Sequence, residues 1–352
     1  MTYDEFMMYV TDHIKEYLPD RYADHNVSIT KQLKNNDIVL DGLIIKKDET
    51  MLPTVYLNEP YKKFQSGMDL GKVMLDLADT YVAHQVQPEM ETDVMSCIND
   101  YDTARNHIRM RVCNARENID RLAGCPHTIV EDLAVTYHIV LLEKNDSIAS
   151  CLITNELQKH YGVTKSEIHE DAVTNMNREE FSFLPMVDKL REMMLPSLIE
   201  NFDGDRELAQ MAMESVLPGM HEGSFPLWIL SNPSMINGAS CIMSGEIREK
   251  VAEKVGGDYY VIPSSIHEVL IMQKGYDMSV EEIRQMVIEV NETQVQPEER
   301  LSDNVYEYDV KKKEFTLCRG EVMDKELEEE QQERKKQRIQ EQEKDKEKKK
   351  ML

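Results

Sequence analysis

Apolar residues in this chain come in short runs whose spacing switches between about 3.6 residues and about 2, the periods of helix and strand. The chain is therefore confined to packed layers of helix and hairpin-linked strand, an α+β fold. Three hydroxyl-x-x-Glu boxes, at Thr2–Glu5, Thr164–Glu167 and Ser279–Glu282, mark helix starts, because hydroxyl and carboxylate satisfy each other's free backbone donors there. Behind the first box, Phe6, Val10, Ile14 and Tyr17 share one face of a helix that ends near Pro19. Val27, Ile29 and Leu33 then alternate with polar residues, Lys34–Asp37 reads as a turn, and Ile38–Ile45 returns as a second strand. A third strand is predicted at Thr54–Leu57, followed by an Asp69-capped helix with Leu70, Val73, Met74, Leu77 and Tyr81 on one side. These elements make a small N-terminal helix-plus-hairpin-sheet unit over residues 1–85, and Gln85–Asp93, which contains Pro88, reads as a linker.

A larger α+β domain is predicted over 92–322. Ile108–Val112 alternates strictly, which places Arg109 and Arg111 on the polar face of a strand; two arginines alone are too few for a phosphate site. Leu133–Leu142 reads as a buried strand, with Ile148–Ile153 as its partner across the turn Lys144–Asp146. Further strands are expected at Tyr259–Ile262 and Val269–Met272, and a hairpin joins Val305–Asp309 to Glu314–Leu317 across Lys311–Lys313. The segments 149–157 and 239–247 repeat each other at Ala, Ser, Cys and Glu, and each has a hydroxyl residue, Thr154 or Ser244, placed as a helix N-cap. The repeat predicts two related strand-turn-strand-helix units. Beyond residue 323 apolar residues nearly vanish, so 323–352 is expected to be a charged helical or disordered tail without a coiled-coil seam.

Charge narrows the function. The chain holds 41 Lys plus Arg against 66 Asp plus Glu, a net charge of -25. Asp324–Leu352 carries ten of each sign, so the whole excess sits on the body. Such a field repels polyanions, and no nucleic-acid partner is expected; the expected partner is a protein, a basic one, or a second copy of the chain. Thr136 and His138 interrupt the most apolar stretch, which is well short of the roughly 20 residues of a bilayer span, so no membrane partner is expected. The acidic start Met1–Glu5 lacks a leader's basic-then-apolar order, and the six cysteines show no Cys-x-x-Cys spacing. A cytoplasmic protein with free thiols and no metal is expected.

For chemistry, Cys241 with His267 is the thiol–imidazole pair that can be drawn, but Cys151 fills the equivalent place in the repeat without a histidine, which favours an inward-facing strand cysteine. The polar run of Ser264, Ser265, His267 and Glu268 between two apolar strands is the candidate functional loop. No His-Glu-x-x-His, Gly-x-Gly-x-x-Gly or Gly-Lys-Ser/Thr pattern is present, so no metal-dependent, dinucleotide or P-loop chemistry and no cofactor are expected. The expectation is a cytoplasmic, non-catalytic interaction protein, with a hydrolase or transferase built on the 263–268 loop as the alternative.

The segments Pro53–Asn58, Asp132–Val135, Leu152–Asn155, Tyr260–Val269 and Val290–Gln294 resemble a domain-of-unknown-function family of anaerobic gut Firmicutes, family number 5688. The resemblance runs from the first helix to about residue 310, is most specific over Pro263–Glu268, and leaves the charged tail outside. It implies a bacterial origin, brings no activity, cofactor or catalytic residue with it, and directs attention to the Ser-Ser-Ile-His-Glu loop.

Overall fold

The computed structural model describes residues 1–47, 53–84, 95–144, 147–216, 227–275 and 278–319; the expected linker 85–93 and tail 323–352 lie outside them. The described residues form an α+β fold with three antiparallel sheets. The first helix, Tyr3–His13, opens on its capping box: Thr2 Oγ1 accepts from the Glu5 amide while the Glu5 carboxylate accepts from the Thr2 amide. Strands β1 (Asn26–Leu33) and β2 (Val39–Lys46) pair from Asn26 opposite Lys46 to Leu33 opposite Val39, and β3 (Val55–Tyr56) lies on the far side of β2. The Asp69-capped helix Leu70–Ala83 and the first helix close one apolar cluster around Phe6, Val10, Leu43, Met74 and Tyr81.

The second sheet is organised around a long central strand. Along one edge of β6 (Leu133–Lys144) runs β4 (Ile108–Asn114); the other edge is shared by β5 (His127–Val130) and, from His138 onward, β7 (Ser147–Leu152). Met110, Val112, Val135, Tyr137 and Ile139 join Ile168, Ala172 and Met176 of the helix Lys165–Arg178 in the largest core. The register sets Arg111 opposite Thr136, Arg109 opposite His138 and His138 opposite Leu152, so these side chains share the opposite face. The third sheet has the order β13-β12-β10-β11-β9-β8, from β8 (Ser182–Pro185), β9 (Leu227–Ser231), β10 (Tyr259–Pro263), β11 (Val269–Gln273), β12 (Tyr306–Asp309) and β13 (Glu314–Leu317).

The two Ala-Ser-Cys segments differ. The first is a strand, β7, leading into the Thr154-capped helix Asn155–Tyr161. The second, predicted as a strand, is a 3-10 helix over Gly238–Met243, leading into the Ser244-capped helix Gly245–Val255. The reason is the state of the preceding strand: β8 and β11 occupy both edges of β9, so a returning segment has no ladder to join. Asn237, at φ 56, turns the chain back, and Gly238 then packs against Ser231, Asn232 and the His267 carbonyl; a Cβ at 238 would lie 2.5 Å from the Asn232 nitrogen.

The tip of the β1–β2 hairpin docks on the body. Asn36 and Asp37 both hold left-handed backbone, at φ 58 and 48. The Asp37 carboxylate accepts from the amides of Asp120 (2.8 Å) and Arg121 (3.1 Å), and so supplies the acidic cap of the helix Ile119–Ala123 from another part of the chain. Asn36 exchanges hydrogen bonds with buried Asn118, and its amide also donates to the carbonyls of Pro297 and Arg300.

Candidate functional site

Where the hairpin tip meets the body, the chain encloses a cleft of about 590 Å³. One wall is the hairpin, with Lys34 and Tyr56. The floor is the polar face of the second sheet, with Arg111, His138 and Ser150, extended by Arg121 of the capped helix. The third wall brings Asn237, His267, Glu298 and Glu299. A smaller cleft of about 260 Å³ shares Arg111 and Asn237 with the first and is lined by Arg109, Glu179, Glu180, Ser240 and Cys241.

His267 lines the larger cleft, and Cys241 the smaller one. Ser264, Ser265 and Glu268 line neither cleft and instead hold their own loop: Ser265 Oγ accepts from the His267 amide at 3.0 Å, and Ser264 Oγ donates to Glu268 Oε1 at 3.4 Å. His267 is held on three sides. Its Nδ1 accepts from the Asn237 amide at 3.1 Å, its carbonyl accepts from Ser231 Oγ at 2.7 Å, and its Nε2 faces Glu299 at 3.5 Å. An imidazole that accepts a backbone proton at Nδ1 carries its own proton on Nε2, so neither nitrogen offers a lone pair to a substrate. The loop is thereby a clasp on the 237–243 segment, reinforced by the bond from the Ala239 amide to the Ile266 carbonyl.

Cys241 is buried, and burial, with the Glu179 charge adding, pushes its thiol up to about 12. At neutral pH it is a thiol, the unreactive form.

The charged floor of the larger cleft comes from residues with weaker signals in the sequence. Arg111 Nη2 donates to Ser150 Oγ at 2.5 Å, and among the described residues no carboxylate lies within ion-pair distance of Arg111 or Arg121. By contrast Arg109, on the same strand face, is ion-paired with Glu179. Burial, then repulsion from Arg121, lowers the Arg111 guanidinium to about 10, which leaves it a cation at neutral pH. His138 is buried, its Nε2 lies 3.3 Å from Thr136 Oγ1, and its Nδ1 has no hydrogen-bond partner among the described residues. Burial first, and then Arg111 and Arg121, drive its pKa well below 6.5, so it is neutral. Lys34 lies over the Tyr56 ring, 4.2 Å from its centroid. The period-2 alternation marks Arg111 as polar-faced; nothing local marks Lys34, Arg121 or His138 as its neighbours.

Among the described residues no group of three or more His, Cys, Asp or Glu is placed to hold a metal ion, and no helix is long and apolar enough to cross a membrane. Compared with known proteins, residues 3–310 match a family of unknown function (DUF5688). No curated protein and no solved structure matches the chain.

Proposed function

Given that the chain belongs to the DUF5688 family, whose description names no activity, we propose that it acts by binding, without chemistry of its own, and that the larger cleft is the recognition site. One observation carries this reading: three separate parts of the chain converge on a single concave, mixed-polarity cavity of about 590 Å³. Small-molecule sites fall at such junctions and within about 300–1,000 Å³. The alternative of a hydrolase or transferase on the 263–268 loop has less support, because the side chains of Ser264, Ser265 and His267 are already engaged within the clasp.

Hydrogen–deuterium exchange of the full chain, with and without the small-molecule fraction of a cell extract, tests the reading. Slowed exchange confined to the hairpin (32–40), the sheet floor (109–113 with 136–138) and the third wall (237, 266–267 and 298–299) is the expected result. Unchanged exchange in all three segments would remove it.

A second reading, association with a protein partner or another copy of the chain, is favoured by the exposed methionines Met193 and Met211 on the helices Met186–Asn201 and Arg206–Val216. A strictly monomeric mass in solution together with an empty pull-down removes that reading.

A further inference from the structure

We propose that the floor of the larger cleft is a phosphoryl-binding site, in which Arg111, with Arg121 and Lys34 beside it and the free Nδ1 of His138, receives the phosphate group of a small phosphorylated molecule. This rests on the binding reading above and adds the chemistry of the ligand.

Two arginines at alternate positions of a strand are not a site, and here the structure separates them. Arg109 is neutralised by Glu179, whereas Arg111 is held on the sheet floor by a neutral serine. Holding a guanidinium partly out of water without a carboxylate is costly, and a ligand oxyanion is the chemical group that offsets it. Arg121, without an ion-pair partner among the described residues, contributes a second cation, and the bond from its backbone amide to Asp37 holds its short helix at the edge of the cleft. Lys34 contributes a third from the opposite wall. Against these stand Glu298 and Glu299, so the lining keeps an excess of positive charge within a body of net charge -25.

His138 is the independent observation. Its ring lines the cleft and is buried, and Nδ1 has no hydrogen-bond partner among the described residues. A buried polar atom of this kind costs stability unless something pairs with it. The Thr136 hydroxyl lies 3.3 Å from Nε2 and 3.5 Å from the Arg111 carbonyl; turned to donate to the nearer Nε2, it leaves the ring proton on Nδ1, a donor to an oxyanion alongside the guanidinium fork that suits phosphate geometry.

The ligand is small. A nucleic-acid chain would meet the acidic body, while a phosphorylated metabolite meets the local field of the cleft alone. The volume also exceeds what a bare phosphate fills, which leaves room for an organic portion beside Tyr56.

The test uses the full chain with inorganic phosphate and phenyl phosphate as probes, followed by phosphorus NMR line broadening and, for phenyl phosphate, saturation transfer to the ring protons. Wild-type protein is expected to bind both, with Arg111→Gln weakening each by about tenfold to a hundredfold. Arg121→Gln, on the helix and away from the sheet floor, is expected to weaken both in the same direction and guards against a folding defect in the first variant. Arg109→Gln is expected to leave binding unchanged. Tighter binding of phenyl phosphate supports an organic phosphate as the source; equal binding supports the same site with the free ion as its source. A folded wild type that binds neither probe, or an Arg109→Gln variant that loses as much as Arg111→Gln, overturns the proposal. Extract-induced protection of the cleft in a protein that binds neither probe overturns the phosphoryl assignment and leaves the binding reading standing. Arg111-dependent phosphate binding supports the assignment even where the extract gives no protection.

Discussion

The segments 149–157 and 239–247 carry the same Ala-Ser-Cys opening and the same hydroxyl N-cap, yet the first builds an edge strand and the second a buried 3-10 helix. What differs is the sheet each one meets. The stretch of β6 beyond His138 has an edge free for β7, whereas β9 is already enclosed by β8 and β11. A short string therefore fixes its cap and its inward-facing cysteine locally, while the availability of backbone partners decides its conformation. Gly238 belongs to that decision: the matching position in the first segment is Ile148, which stands in a strand with room for its side chain.

Four measurements sharpen or break this contrast. The largest effect is expected for Gly238→Ala, whose new methyl would overlap Ser231 and approach the Asn232 nitrogen to 2.5 Å and the His267 carbonyl to 2.8 Å. A loss of about 3 kcal/mol in denaturant unfolding is expected, and a neutral variant would show that the 3-10 segment is not closely packed. Next is Ser244→Ala. The Ser244 hydroxyl accepts from the Ile247 amide and donates to Asn177 Oδ1 at 2.6 Å in a fully buried setting, so about 2 kcal/mol is expected. The exposed counterpart, Thr154→Ala, removes the cap to Leu157 alone and is expected to cost about 1 kcal/mol or less. Equal losses for the two caps would contradict the difference in burial.

The smallest effect concerns pH. The folded pKa of Cys241 is raised from 9.0 to about 12, so its share of stability is complete below about pH 9 and is lost as pH rises toward 12, because the unfolded thiol ionises first. Cys241→Ala is therefore expected to flatten the alkaline decline of the unfolding midpoint. Cys151→Ala, at the matching position, is expected to flatten it less, since Cys151 is less deeply buried. A steeper decline in either variant would reverse the sign of this argument.

Much of the fold was legible because its signals are local. The capping boxes at Thr2, Thr164 and Ser279 form in full, since hydroxyl and carboxylate sit within one turn of each other. The β1–β2 hairpin and the β12–β13 hairpin follow from alternation and turn residues. The cleft was legible at two points, Arg111 through its strand alternation and His267 through its polar loop. Ser264, Ser265 and Glu268 bond within their own loop, which clasps Asn237 and Ala239. A polar cluster that satisfies backbone and one that meets a ligand have the same composition, and geometry alone separates them.

The sequence by itself determined an acidic body, the periods of its helices and strands, their caps and turns, and the side of β4 that carries Arg109 and Arg111, because each of these depends on residues within a few positions of one another. Tertiary structure decided which of those two arginines is neutralised, that the second Ala-Ser-Cys segment coils, and that Lys34, Arg121 and His138 meet over one floor. Those outcomes hang on contacts such as Asp37 with the amides of Asp120 and Arg121, between residues more than 80 positions apart. Pairing over that distance is set by which surfaces remain to be buried once the local elements exist, and no short stretch of sequence encodes it.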